Sequence, residues 1–246
     1  MTENNQFSTN QNTYFNKDAV TLVDSYPKVP LTVDCVIFGF DQNSLKVLLI
    51  KCDLPPFTNK YSLLGDIVQS NEDLEDAAYR VLFERTGMKD VYLEQVHCFG
   101  KPNRHPGGRV VTTVYASLLN VQHHALSITD HDLNWHPIDL ISEMAFDHKE
   151  VLELCIHWLR KRIQEHPLAF NLLPSKFSLR QLQNVYEAIL NCKLDRRNFR
   201  KKFAAMGYLI DTHEMEFNVT HRPGKLYSFD FIGYEQRKKT EIGIDF

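Results

Sequence analysis

The 246-residue chain is longer than one minimal domain and shorter than three, since domains run to roughly 100–200 residues. Its 43% hydrophobic and 24% charged residues match ordinary globular usage and exclude a wholly disordered or fibrous chain. The net charge of −3 names no partner, but it is unevenly placed: residues 167–246 carry 13 Lys and Arg against 9 Asp and Glu, and residues 1–166 carry 15 against 22. The two parts are expected to meet different partners.

Five cysteines (Cys35, Cys52, Cys98, Cys155 and Cys192) stand far apart without a CxxC pair, which predicts a reducing, cytoplasmic setting. No apolar run reaches the roughly 18 residues that a bilayer span needs, so no membrane partner is expected. Residues 1–30 are rich in Asn, Gln, Thr and Ser and predict a flexible tail or docking arm. Leu31 to Phe40 and Leu45 to Ile50 are apolar and β-branched runs around Asp41-Gln-Asn-Ser44, the pattern of two strands and a hairpin turn. Ser70 to Thr86 has helical apolar spacing, with Ser70 or Asn71 as the expected N-cap and Gly87 as the stop. Strands are expected at Val91 to Phe99 and Arg109 to Leu119. A helix from Asp147 to about Ile163 follows, its start marked as a capping box by Asp147 and Glu150.

His166-Pro167 breaks this pattern. Ser178 to Gln181 opens a helix with a second capping box, and Asp195 caps another helix that ends at Gly207. Leu194 and Phe199 stand at the positions of a hydrophobic staple. Strands at Tyr208 to Ile210, Met215 to Val219 and Leu226 to Phe231 would complete a winged helix-turn-helix. The fold class expected is α+β, an α/β/α sandwich with a mixed sheet over residues 31–165 and a winged helix-turn-helix over 167–246.

Gly65 to Met88 resembles the Nudix box of hydrolases that cleave nucleoside diphosphates linked to another group. Aligned on Arg80, the chain keeps Glu72, Arg80, Leu82, Glu84, Gly87 and Met88. Asp66 replaces the motif's Gly, Val81 its Glu after the Arg, and Arg85 the second Glu of its pair. Helical spacing would bring positions 81, 84 and 85 onto one face, where three carboxylates hold divalent ions in an active Nudix enzyme. With one acid, one isopropyl group and one cation there, the box is expected to be catalytically inactive. No catalytic residue, metal or cofactor is therefore expected, and Glu72, Arg80 and Glu84 are remnants. Pro106 to Tyr115 and Ala145 to His148 also look like Nudix segments, so the resemblance covers residues 31–165.

Asp34 interrupts an apolar strand, where an unpaired buried carboxylate is costly. Either a ligand hydroxyl or a local donor must satisfy it. Asp66, at the mouth of the box loop, and Arg109, at a strand start, are further ligand-binding candidates. His123, His124, Asp130, His131, Asp132 and His136 crowd a loop without metal-ligand spacing. Neither a GxSxG elbow nor a P-loop occurs.

With Phe199, Phe203 and Met206 facing inward, the helical step of about 100° per residue turns Arg197, Asn198 and Lys201 outward with Arg200 on the flank. That face, together with Arg196, suits base edges and phosphates of a major groove. Arg222 and Lys225 lie at an expected wing tip, where cations would meet the DNA backbone. Leu172 to Gln183, Tyr186 to Ile189 and Leu194 to Lys202 resemble the C-terminal domain of Nudix-related transcriptional regulators, including those of arabinose use and NAD metabolism. The resemblance implies a homodimer that binds double-stranded DNA and senses a small effector, a sugar or an ADP-ribose-like nucleotide. Loss of the metal face favours a sugar. A weak Nudix hydrolase is the alternative.

Overall fold

The computed structural model describes residues 26–41, 44–124, 126, 132–220 and 222–241. The expected tail lies almost wholly outside them, as do His131 and Asp130 of the histidine-rich loop. Strand β1 (Leu31–Phe40) is central and pairs in parallel with β6 (Val111–Asn120) along its whole length, from Leu31 opposite Val111 to Phe40 opposite Asn120. β2 (Leu45–Lys51), β3 (Tyr61–Ser62), β4 (Leu64–Ile67), β5 (Glu94–Phe99) and β7 (Asn134–Pro137) complete a mixed seven-stranded sheet of order β3-β2-β1-β6-β5, with β4 on β1 and β7 on β2.

β1 is buried from Val33 to Phe40, as its continuous apolar run demands of a strand covered on both faces. Its alternation sorts the two layers. Val36, Phe38 and Phe40 pack on one face against Val151, Cys155 and Leu159 of helix α2 (His148–Glu165). Val33, Cys35 and Ile37 pack on the other against Ala77, Ala78 and Val81 of helix α1 (Leu74–Thr86). The sheet is thus held between helices, the expected sandwich.

After a 3-10 turn at Leu168–Leu172 come β8 (Phe177–Ser178), α3 (Leu179–Leu190), α4 (Arg196–Met206), β9 (Leu209–Met215), β10 (Lys225–Phe229) and α5 (Phe231–Glu241). The short sheet runs β8-β10-β9, and with α3 and α4 it forms the winged helix. Its core is continuous with the larger one. Leu182, Val185, Ile189, Phe199 and Phe203 belong to the same buried cluster as Phe38 and Leu159. Asn120 Nδ2 donates to Leu172 O at 2.8 Å, and Arg160 Nε to Ile189 O at 3.0 Å.

Local expectations are met where a helix end uses its own side chains. Ser178 and Gln181 form the reciprocal capping box of α3, and Asp195 accepts from the Asn198 amide at 2.8 Å to cap α4. They fail where tertiary partners take those side chains. α1 begins after Asp73, because Glu72 is engaged by Arg80 and the Gln69 amide. The capping box at α2 does not form: Asp147 stands at the N-cap position but binds Arg104, and Glu150 reaches Lys101. The strands expected at 208–210 and 215–219 are one strand, β9, which runs from Leu209 and ends at Met215; its partner ends at Phe229, and Phe231 starts a helix instead of closing a strand. The third strand of the small sheet is Phe177–Ser178, too short for alternation to reveal.

Candidate functional site

A cavity of about 770 Å³ opens between β1, β4, the loop before β6 and the start of α2. Asp34, Asp66 and Arg109, far apart in sequence, all line it. Asp34 is buried in the floor, with Arg104 Nη2 at 3.5 Å from Oδ2 and His148 Nε2 at 3.7 Å from Oδ1. Arg104 is itself clamped by Asp147, with Nε to Oδ2 at 2.8 Å and Nη2 to Oδ1 at 2.7 Å. The Leu63 amide donates to His148 Nδ1 at 3.1 Å, so in the neutral ring the proton sits on Nε2, facing Asp34. Burial pushes the His148 pKa down despite the neighbouring Asp34 and Asp147 carboxylates. Gly65 makes this arrangement possible, since a Cβ there would come within 2.3 Å of Asp34 Oδ1.

Both readings of Asp34 therefore meet at one atom. Arg104 balances its charge, yet Oδ2 is buried and accepts no hydrogen bond, leaving an acceptor at the cavity floor. Over the floor stands Phe146, at φ 52°, a backbone state that costs a bulky residue on the order of 1–3 kcal/mol. Its ring stacks on His105 at 5.0 Å and 13° and leans on Phe57 at 4.8 Å. At the exposed mouth lie Asp66, Arg85 and Arg109.

The box residues Glu72, Arg80 and Glu84 form a separate cluster. Arg80 donates to Glu72 at 2.7 and 2.9 Å, to Glu84 at 3.3 Å and to Ile67 O at 3.0 Å, with Asp66 at 3.8 Å. Hydrogen bonds from Arg80 and then from the Gln69 amide hold the Glu72 carboxyl down at about 2. Val81 is 1% exposed and belongs to the core. It does not join Glu84 and Arg85 on an open face, because the apolar stripe of α1 rotates it onto the sheet. A divalent ion does not fit here: Glu84 is taken by Arg80, position 81 is apolar and buried, and position 85 is cationic. Among the described residues no group of three His, Cys, Asp or Glu gathers as a metal site.

On the winged helix, Phe199 and Phe203 are buried, while Arg196, Arg197, Asn198, Arg200 and Lys201 are all exposed along α4. The turn before α4 is fixed by Glu187, which accepts from Lys193 at 2.9 Å, from Gln183 at 2.8 Å and from the Leu194 amide at 3.1 Å. Arg222 is exposed in the connection between β9 and β10. Lys225 is not at the tip. It is the first residue of β10 and binds Asp211 across the ladder at 2.8 Å. That bond holds the Asp211 carboxyl below its usual value and the Lys225 amine above its own.

Residues 28–155 match the NUDIX domain family, and residues 169–229 match the NrtR DNA-binding winged helix domain. The ADPR responsive transcriptional repressor NtrR of Acinetobacter baylyi is 33% identical over 216 residues, 85% of this chain and 86% of that protein. This chain belongs to the NrtR family of Nudix-related DNA-binding regulators. The crystal structure of Shewanella oneidensis NrtR, 30% identical, superposes with a TM-score of 0.66 over 81% of this chain and 93% of its own. The same protein complexed with a 27mer DNA gives 0.65 at 30% identity over the same shares. Its Nudix domain complexed with ADP ribose gives 0.52 at 30% identity over 58% of this chain and 99% of that one. An ADP-ribose pyrophosphatase of Methanocaldococcus jannaschii is 27% identical over 122 residues, 49% of this chain and 71% of its own.

Seen as an NrtR-family member, the chain keeps the Nudix scaffold while its box arginine and two acids serve to bind one another. Sequence reasoning missed Arg104, Phe146 and His148. A signal existed for two of them, since Ala145 to His148 resembles a Nudix segment. For Arg104 the signal was indirect: a buried Asp34 requires a cation, and nothing in the sequence says which one.

Proposed function

We propose that this protein is a transcriptional regulator that binds operator DNA through α4 and the wing, and binds ADP-ribose in the Nudix cavity to change that affinity. The observation that carries this reading is the joining, on one chain, of an exposed basic recognition helix with a cavity that places an unsatisfied acceptor on its floor and cations at its mouth. Asp34 would accept from a ribose hydroxyl, and Phe146 with His105 would offer an aromatic wall. Arg196, Arg197, Asn198, Arg200 and Lys201 would face the groove, with Arg222 and Lys225 on the phosphates. ADP-ribose replaces the sugar favoured on sequence grounds, because the Acinetobacter relative is an ADPR responsive repressor and the Shewanella Nudix domain is complexed with ADP ribose. We take residues 31–165 as the sensing domain and 167–246 as the DNA-binding domain, acting in the cytoplasm as a homodimer, since one helix contacts too few base pairs to select a genomic site.

A salt-controlled mobility shift on the cognate promoter tests this. ADP-ribose should change DNA affinity, and DNA should change ADP-ribose affinity by the same factor; an affinity for the nucleotide that is identical with and without DNA overturns the reading. The hydrolase alternative is favoured by the retained Glu72, Arg80 and Glu84 and by the pyrophosphatase relative. Turnover of ADP-ribose with Mg²⁺ at about 1 s⁻¹ or more would establish it over the regulator without activity.

A further inference from the structure

We propose that Arg85, helped by Arg109, stands in for the divalent cation, so that the diphosphate of a nucleoside diphosphate sugar is held in this cavity by guanidinium groups with no metal ion. This rests on the ADP-ribose reading and goes further, by assigning the charge partner of the diphosphate. Arg85 occupies the position where the Nudix box carries a carboxylate, in the last turn of α1, and its side chain is exposed and lines the cavity mouth. Arg109 lines the same mouth from the segment leading into β6. Among the described residues, neither guanidinium takes part in a hydrogen bond or an ion pair. Other cations near the cavity are engaged: Arg104 by Asp147, Arg80 by Glu72, and Lys51 by Asp132 at 3.8 Å.

The chemistry follows from the exchange of charge at one position. In a metal-dependent Nudix site the carboxylates hold a cation and the cation meets the phosphates. Here the carboxylate is replaced by a fixed cation, and Val81 closes the remaining ligand position by packing into the core. A guanidinium offers a planar fork of donors that matches phosphate oxygens two at a time. It also repels Mg²⁺ from the remaining acid, Glu84. The competing explanation is that Arg85 merely complements the dipole at the C-terminal end of α1, a role any cation fills.

Calorimetric titration of the full chain with ADP-ribose, once in EDTA and once with excess Mg²⁺, separates the readings. Affinities equal within about twofold in the two buffers are expected. Arg85→Glu should weaken binding in EDTA by about tenfold or more, with part of the loss regained on adding Mg²⁺. Arg85→Lys, which preserves the charge at the helix end, should also bind more weakly, because the fork is lost. The exposed site makes these variants fold as the parent does, which a melting curve checks. Binding that requires Mg²⁺, or Arg85→Glu at parental affinity in EDTA, overturns the metal-free assignment while leaving ADP-ribose as effector. No ADP-ribose binding in either buffer overturns both.

Discussion

The floor of the Nudix cavity and the outer face of α4 are built from the same kinds of side chain, and the two regions use them in opposite ways. On the floor, Arg104 is shared by the carboxylates of Asp34 and Asp147, with the neutral His148 beside Asp34, all buried or nearly so and 2.7–3.7 Å from their partners. On α4, Arg196, Arg197, Arg200 and Lys201 project into solvent from a helix whose inner side is pinned by Phe199 and Phe203. A buried charge network is set by desolvation, which penalises any member left alone. An exposed cationic face costs little to maintain and acts when polyanionic DNA displaces its counterions. Mutation should thus be felt in stability at the first region and in binding at the second.

The largest effect is expected from Arg104→Ala. It leaves Asp34 and Asp147 facing each other without their shared cation, and should cost about 3–5 kcal/mol in urea denaturation. A loss below 1 kcal/mol would mean that water replaces the guanidinium. Next, Arg197→Ala should cost about 1–3 kcal/mol of operator affinity and relax selection at one base position, with the melting temperature unchanged. Equal losses on operator and random DNA would demote Arg197 to a phosphate contact. Lys225→Ala should weaken all DNA sequences alike and lower the salt slope by about one unit. Because Lys225 already holds Asp211, Asp211→Asn should strengthen general DNA binding by freeing that cation, and no change would show that Lys225 does not reach the phosphates.

The smallest effect concerns pH. Burial depresses the His148 pKa in the folded protein, so between that value and the ordinary one of about 6.5 the unfolded chain binds a proton that the folded chain refuses. Stability should fall as pH drops below about 6.5 and be fully present above it. His136, also depressed by burial, acts in the same direction. His148→Gln should shallow the decline seen in thermal denaturation between about pH 6.5 and 5; an unchanged slope would assign the effect to His136.

The ends of α3 and α4 were legible because Ser178, Gln181 and Asp195 act on backbone groups three residues away. The outward face of α4 followed from helical period alone, since nothing packs over it. β1 read as a buried strand from its apolar run, and Asp34 stood out within it as a charge that needed a reason. Where a side chain has a choice between a local backbone partner and a distant charge, sequence gave no decision. Asp147 and Glu150 have the spacing of a capping box, yet they pair with Arg104 and Lys101 across the fold. Val81 falls both on the apolar stripe of α1 and at a ligand position of the box, and the sheet claims it for the core. Hydrophobic period and capping chemistry, which act within a few residues, were thus determined by the sequence itself. The gathering of Asp34, Asp66, Arg85 and Arg109 around one cavity was decided only by tertiary structure, because desolvation and long-range charge pairing depend on which strands lie side by side.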